Sequence, residues 1–367
     1  MTLAQGNDRI LIMMQTTERE IKPLSVPDLQ TIPDRPEVAA PQADLGSLPP
    51  EPETSFTESL QTVHALDRLP YLVRLGSLHA LLVPVIWGAA LAWWQMGSLN
   101  LWTLLLSLLG AGSLYLGTHA FVAHADHRRT QQRGAKALPD FLITPEPTLI
   151  FMTDWGDILS VGWLLLIFGI LATGWLTYLG GWPVLFFGGL SAGIALAYAL
   201  PPLQFGYRTG AFGEIGPLIA FGYLPVLISF YVQSGTLTAL ALMAAVPVAL
   251  LVALIGLVYQ LISWRQDWRL RKRTPVMALQ PKTVLDLGAV MVGLAFAGIL
   301  VLAGVGQLPI WALLGLAALP LALGPYARIH LRLSTYGESV ALLQSTIATT
   351  ATLGLLLSLA LWLDKGF

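Results

Sequence analysis

Five windows of this chain contain no Asp, Glu, Lys or Arg: residues 75–125, 158–207, 215–264, 287–327 and 339–363, of 51, 50, 50, 41 and 25 residues. A helix crossing the hydrocarbon core of a bilayer needs roughly 20 apolar residues. Each of the first four windows therefore holds two spans and a tight turn, and the last holds one. Nine spans follow, with helices predicted near 71–95, 101–124, 158–177, 183–200, 214–233, 237–263, 284–303, 309–329 and 339–363. The turns within the windows fall at Gln95–Asn100, Tyr178–Pro183, Gln233–Gly235 and Gly304–Pro309, where Gly, Pro, Ser, Asn and Gln collect. The fold class expected is an all-α integral membrane bundle of nine transmembrane helices, with a central cavity open to the cytoplasmic side. A β-barrel is excluded by the length and continuity of the apolar runs.

Only 11% of the residues are charged, against about a quarter in a soluble protein. With no Cys in the chain, disulfides, thiolate metal sites and a cysteine nucleophile are all excluded. The near-zero net charge conceals a division. Residues 1–67 carry 11 acidic and four basic groups, a net of -7, and residues 68–367 carry a net of +6. Segment 1–67, rich in Pro, Ser, Thr and acids, is expected to be a disordered tail. It serves either as a solvated leader or as a docking segment for a protein partner. Residues 68–367 form the membrane domain.

Orientation follows from the basic loops. Arg128, Arg129, Arg133 and Lys136, then Arg208, then the run Arg265 to Lys282, then Arg328 and Arg332 all separate hairpins. They lie on one side with the N-terminus. That side is expected to be cytoplasmic, in a bacterial cytoplasmic membrane, with the C-terminus outside. Contact with membrane lipid is implied, and no nucleic-acid partner is expected.

Polar groups at membrane depth are costly and point to function. Here they gather at the cytoplasmic ends of spans two and six and in the segment Tyr198–Arg208, followed by Glu214. At 3.6 residues per turn His119 and Asp126 share one helical face, and Ser263 and Asp267 share another. Two helix ends offering one carboxylate each could hold a hard divalent cation that bridges to phosphates.

Residues 70–330 resemble the UbiA superfamily of intramembrane prenyltransferases, closest to the branch that prenylates dihydroxynaphthoate for menaquinone. Arg74-Leu-Gly-Ser-Leu-His-Ala-Leu-Leu-Val-Pro-Val-Ile-Trp-Gly88 is similar to the family's opening helix. Tyr198–Tyr207 is similar to its Tyr-x-x-Pro-Pro-x-x-x-x-Tyr, and Lys272-Arg273-Thr274 to the Lys-Arg-Thr after its second acidic motif. The acidic motifs themselves are depleted. Positions of Asn-Asp-x-x-Asp-x-x-x-Gly-x-Asp read Val122, Ala123, Asp126, Thr130 and Gln132, and the family's earlier Asn falls on His119. Positions of Asp-x-x-x-Asp read Ser263 and Asp267.

The resemblance implies transfer of a polyprenyl group from its diphosphate to a lipid-soluble aromatic acceptor, a quinone precursor. It implies Asp126 and Asp267 as the catalytic metal ligands, with Mg²⁺ as cofactor in a reduced site. Arg74, His119, Arg128, Arg129, Tyr198, Tyr207, Arg208, Glu214, Lys272 and Arg273 are then the substrate-binding set. Two readings stay open. Either Asp126 and Asp267 hold one Mg²⁺ while Arg and Lys take up phosphate charge, or the chain is a non-catalytic UbiA-fold subunit that binds a lipid, quinone or pigment.

Overall fold

The computed structural model describes residues 75–132, 155–208, 213–269, 272–279, 281–329 and 336–366. The acidic segment 1–67 and Arg74 lie outside the described residues. The described residues form a helical bundle whose elements follow the charge-free windows closely. They are α1 (Val83–Met96), preceded by the single turn Leu78–Leu81; α2 (Leu101–Gln132); α3 (Trp155–Gly180); α4 (Trp182–Ala199); and α5 (Leu224–Ser234). Then come α6 (Ala239–Arg269), α7 (Pro281–Gly304), α8 (Leu319–Ile329) and α9 (Tyr336–Lys365). Two of the uncharged turns close on glycines in the left-handed region, Gly97 at φ 78° after α1 and Gly235 at φ 71° after α5. A side chain there would meet the backbone unfavourably, so these positions stop the helices cleanly.

Eight of the expected nine spans are helices long and apolar enough to cross a membrane, among the described residues. The ninth, predicted at 309–329, is different. Its apolar helix runs Ile310–Tyr326, and its first part, Ile310–Ala318, is a 3₁₀-helix before α8 begins. A 3₁₀-helix rises about 2.0 Å per residue against 1.5 Å for an α-helix. Ile310–Tyr326, 3₁₀ as far as Ala318, therefore reaches on the order of 30 Å, comparable with the hydrocarbon thickness. A tighter winding makes up for a shorter segment, which hydropathy alone does not reveal.

The helix α6 is the axis of the bundle. Its span is 72% buried, whereas those of α3 and α4 are 28% buried, leaving the latter pair to face lipid. With lipid as apolar as leucine, helix association rests on close packing and on hydrogen bonds between helices. Both are visible. A Cβ on Gly88 would lie 2.3 Å from the Val226 carbonyl oxygen, so α1 and α5 approach at backbone contact. Ser229 Oγ donates to the Val85 carbonyl at 2.7 Å across the same interface. Trp87 Nε1 donates to the Ala244 carbonyl of α6 at 2.9 Å.

Before α5 the chain forms a π-helical segment, Leu218–Tyr223. Ser191 Oγ of α4 donates to the Ala220 carbonyl there at 2.7 Å, satisfying an acceptor in the irregular turn.

Contacts sort the bundle into two ends. At one end Gln233 accepts from the Asn100 N–H and donates to its carbonyl, both at 2.9 Å, joining two hairpin turns. Trp94 and Asp364 meet there as well. The ends of α2, α4 and α6 meet at the other, where Asp126, Arg129, Asp267 and Lys272 lie.

Candidate functional site

At that second end Lys272 Nζ lies 2.6 Å from Asp126 Oδ2 and 3.1 Å from Asp267 Oδ1. Asp126 comes from α2 and Asp267 from α6, so one ammonium joins the two helices whose acids the sequence singled out. Asp267 is 2% exposed, and Ser263 Oγ, one turn earlier, donates to its Oδ2 at 3.2 Å. The Lys272 N–H donates to the Asp267 carbonyl at 2.8 Å, which swings the lysine side chain back over the helix end.

Tyr207 is the hub of the cluster. It is buried, with its hydroxyl donating to the Val122 carbonyl of α2 at 3.2 Å and its own carbonyl accepting the Arg273 N–H at 2.9 Å. The Arg129 guanidinium lies over the ring at 4.1 Å and Lys272 Nζ at 5.0 Å, within cation–π reach. Arg129 also donates to Gln204 Oε1 at 3.1 Å. Gln204 adopts φ 40°, an unfavourable value for a residue with a Cβ. It is held there by bonds at both ends of its amide, the second being Nε2 to the Ala199 carbonyl at 3.2 Å. Backbone strain of this kind persists where the surroundings fix it, commonly at functional sites.

Burial pushes the Asp267 carboxyl up, and the Lys272 ammonium opposes it. Burial pushes Lys272 down, but Asp126 and Asp267 outweigh it, so the lysine is held above its ordinary value. Burial, followed by the Asp126 charge, raises the Tyr207 phenol well above the usual tyrosine range. The lysine is therefore a fixed positive charge and the tyrosine a neutral donor.

The remaining expected site residues divide into three. Arg128 and Arg273 are exposed, the first two residues after Asp126 and the second next to Lys272. Arg208 is also exposed, with its guanidinium on the Pro202 carbonyl at 3.0 Å, bracing the turn. Tyr198 and Glu214 belong to a second polar group: Gln260 Nε2 and the Tyr198 hydroxyl both donate to Glu214 Oε1. His119 pairs edge-on with the Tyr115 ring at 4.3 Å, and Tyr115 in turn meets Phe221 at 5.6 Å.

Tyr115 and Phe221 also line a partly open apolar cavity of about 240 Å³, bordered by α1 to α5 and the π-helical segment. Gly110, Gly169 and Gly188 thin its walls. Gln204 and this cavity were not singled out by sequence. Gln204 sits at an unspecified position of the Tyr–Tyr segment, and the cavity is made from residues that read as ordinary small packing residues.

The Mg²⁺ implied by the resemblance is a poor fit to these residues. The space between the two carboxylates is where Lys272 Nζ sits, and no group of three His, Asp or Glu converges among the described residues. Mg²⁺ demands near-octahedral oxygen coordination, and an ammonium at contact distance repels it.

No family model matches the chain. It is 27% identical over 216 residues to UbiA prenyltransferase domain-containing protein 1 of Xenopus tropicalis, covering 56% of this chain and 57% of that protein. It is 31% identical over 189 residues to the Danio rerio protein of the same name, covering 48% and 51%. The chain thus spans about half the length of the curated relatives it matches. These relatives are vertebrate, so they do not bear out the bacterial setting expected from the sequence. Among solved structures, a UbiA homologue from Aeropyrum pernix K1 superposes with a TM-score of 0.56 at 16% identity, covering 78% of this chain and 98% of that one. The chain has the UbiA fold. A UbiA homologue from Archaeoglobus fulgidus, solved with GPP and Mg²⁺, superposes with a TM-score of 0.55 at 11% identity, covering 79% and 99%. The UbiA fold and the eight apolar helices make this an integral membrane protein.

Proposed function

We propose that this chain is an intramembrane prenyltransferase, moving an isoprenoid group from its diphosphate to a lipid-soluble aromatic acceptor of the quinone-precursor type. The observation that carries the reading is the pairing of a buried ion cluster at one end of a UbiA fold with an apolar cavity inside the bundle. An isoprenoid diphosphate has the same two-part chemistry, an apolar tail and a dense anion. The charged end is the cytoplasmic one on this reading, as the basic loops require.

Chemistry proceeds by heterolysis of the allylic carbon–oxygen bond, the electron pair leaving with the diphosphate. A ring carbon of the acceptor captures the allylic cation, and the ring then loses a proton. Arg128 and Arg273, both exposed, take up charge as it accumulates on the departing oxygen, since guanidinium suits phosphate in a bidentate way. Arg129 is positioned by Gln204 and the Tyr207 ring and adds a third positive charge.

The test is release of diphosphate by the purified chain in detergent, with farnesyl and longer diphosphates and with naphthoate and benzoate acceptors. Product with at least one donor–acceptor pair is expected; no release with any pair refutes the reading. One observation favours a second reading, a non-catalytic lipid- or quinone-binding subunit: an ammonium fills the position where an active site of this fold is expected to hold metal. That reading expects a bound lipid or quinone to co-purify and no turnover.

A further inference from the structure

The ion cluster has a net charge set by its own side chains. Asp126 and Asp267 contribute two negative charges and Lys272 one positive, with the ammonium within hydrogen-bond reach of both carboxylates. Arg129, stacked on Tyr207 beside them, brings the sum to zero. The lysine is not a loose side chain that a metal could push aside. Its N–H is tied to the Asp267 carbonyl and the next residue's N–H to the Tyr207 carbonyl, so two successive amides hold it in place. Two of the ammonium's three N–H groups are directed at carboxylates and its flank rests on the Tyr207 ring.

A divalent ion entering the same position would have to displace a buried, charged lysine. It would find two carboxylates and no third His, Asp or Glu among the described residues. Arg128, two residues after Asp126, and Arg273, next to Lys272, are exposed.

We propose that Lys272 is a resident cation standing in the metal position of this fold. Its ammonium holds Asp126 and Asp267 together and closes the position to divalent ions, and an isoprenoid diphosphate binds here without metal, on Arg128, Arg129 and Arg273. The part about metal concerns this chain's own residues alone; the part about diphosphate rests on the prenyl-transfer reading.

The experiment has two arms on the full chain in detergent. In the first, Mn²⁺ is titrated and followed by electron paramagnetic resonance. Wild type is expected to bind no Mn²⁺ at this site. Lys272→Met should gain one bound ion, which Lys272→Met/Asp267→Asn loses. Should Lys272→Met fail to fold, wild type decides alone: Mn²⁺ bound to wild type and abolished by Asp126→Asn overturns the proposal.

In the second arm, binding of geranyl thiodiphosphate, whose carbon–sulfur bond resists cleavage, is measured with EDTA and with Mg²⁺. Affinities within about threefold of each other are expected, a difference under 1 kcal/mol. A loss beyond about tenfold in EDTA overturns the proposal. No binding in either buffer overturns the prenyl-transfer reading instead, while absence of bound Mn²⁺ still supports the resident cation.

Discussion

Two lysines sit at opposite ends of the bundle in outwardly similar settings. Lys272 Nζ and Lys365 Nζ each lie 5.0 Å from an aromatic ring centre, of Tyr207 and Trp93 respectively. Their other partners differ. Lys365 is exposed and donates to the Trp93 carbonyl at 2.9 Å, while its neighbour Asp364 accepts from Trp94 Nε1. Together they pin the end of α9 to the end of α1. Lys272 is withdrawn from solvent and shared by two carboxylates on different helices. The ring contact is common to both, so it does not make the difference. Desolvation and convergent opposite charge do. The same residue type is a clasp at one end and the centre of an ion cluster at the other.

The comparison breaks if the two lysines prove equivalent. Lys272→Met should have the largest effect. It leaves two buried carboxylates facing each other, and breaking a buried pair costs about 3–5 kcal/mol. A lower thermal midpoint in detergent and loss of diphosphate release are expected, and a midpoint equal to wild type would remove Lys272 from the centre of the cluster. Asp267→Asn keeps the shape but leaves Lys272 with Asp126 alone. About 1.5–3 kcal/mol should be lost, as for hydrogen bonds to charged groups, read by the same melting assay.

Gly206→Ala sharpens the contrast from the backbone side. A Cβ there would come 2.5 Å from Tyr198 Cζ, so about 1–3 kcal/mol of overpacking is expected, with a matching drop in turnover. Tyr207→Phe keeps the ring under both cations and deletes only the hydroxyl that bonds Val122. It should cost about 1 kcal/mol and leave turnover within a few-fold. Lys365→Met should come last, under about 1 kcal/mol for an exposed contact, with diphosphate release unchanged.

The spans were legible because absence of charge is written at every position of the sequence, and a bilayer tolerates few exceptions. The two hairpin ends stopped by Gly97 and Gly235 were legible for the same local reason. The winding of Ile310–Ala318 was not, since 3₁₀ and α turns share one hydropathy pattern and differ only in rise. In the site, one acid per helix end was visible, and the structure brings Asp126 and Asp267 to a common partner. The identity of that partner was hidden. From the sequence Lys272 belongs to a basic loop, and its return to the acids, with its N–H on the Asp267 carbonyl, is written in no residue pattern. Gln204 was hidden more deeply, because its importance lies in a backbone angle that no residue pattern announces. Arg74 lies outside the described residues, so its expected role stands where the sequence left it.

The π-helical segment Leu218–Tyr223 sets the phase of what precedes it. A π turn carries one residue more than an α turn, and one residue on a helix amounts to about 100° of rotation. Glu214, four residues upstream, meets Gln260 and Tyr198 at the rotation this extra residue provides. Deleting a single residue within the segment, without touching any polar group, would turn Glu214 about a quarter circle or more away from both. Along this stretch the chain's residue count works as an aiming device, and its tolerance is less than one residue.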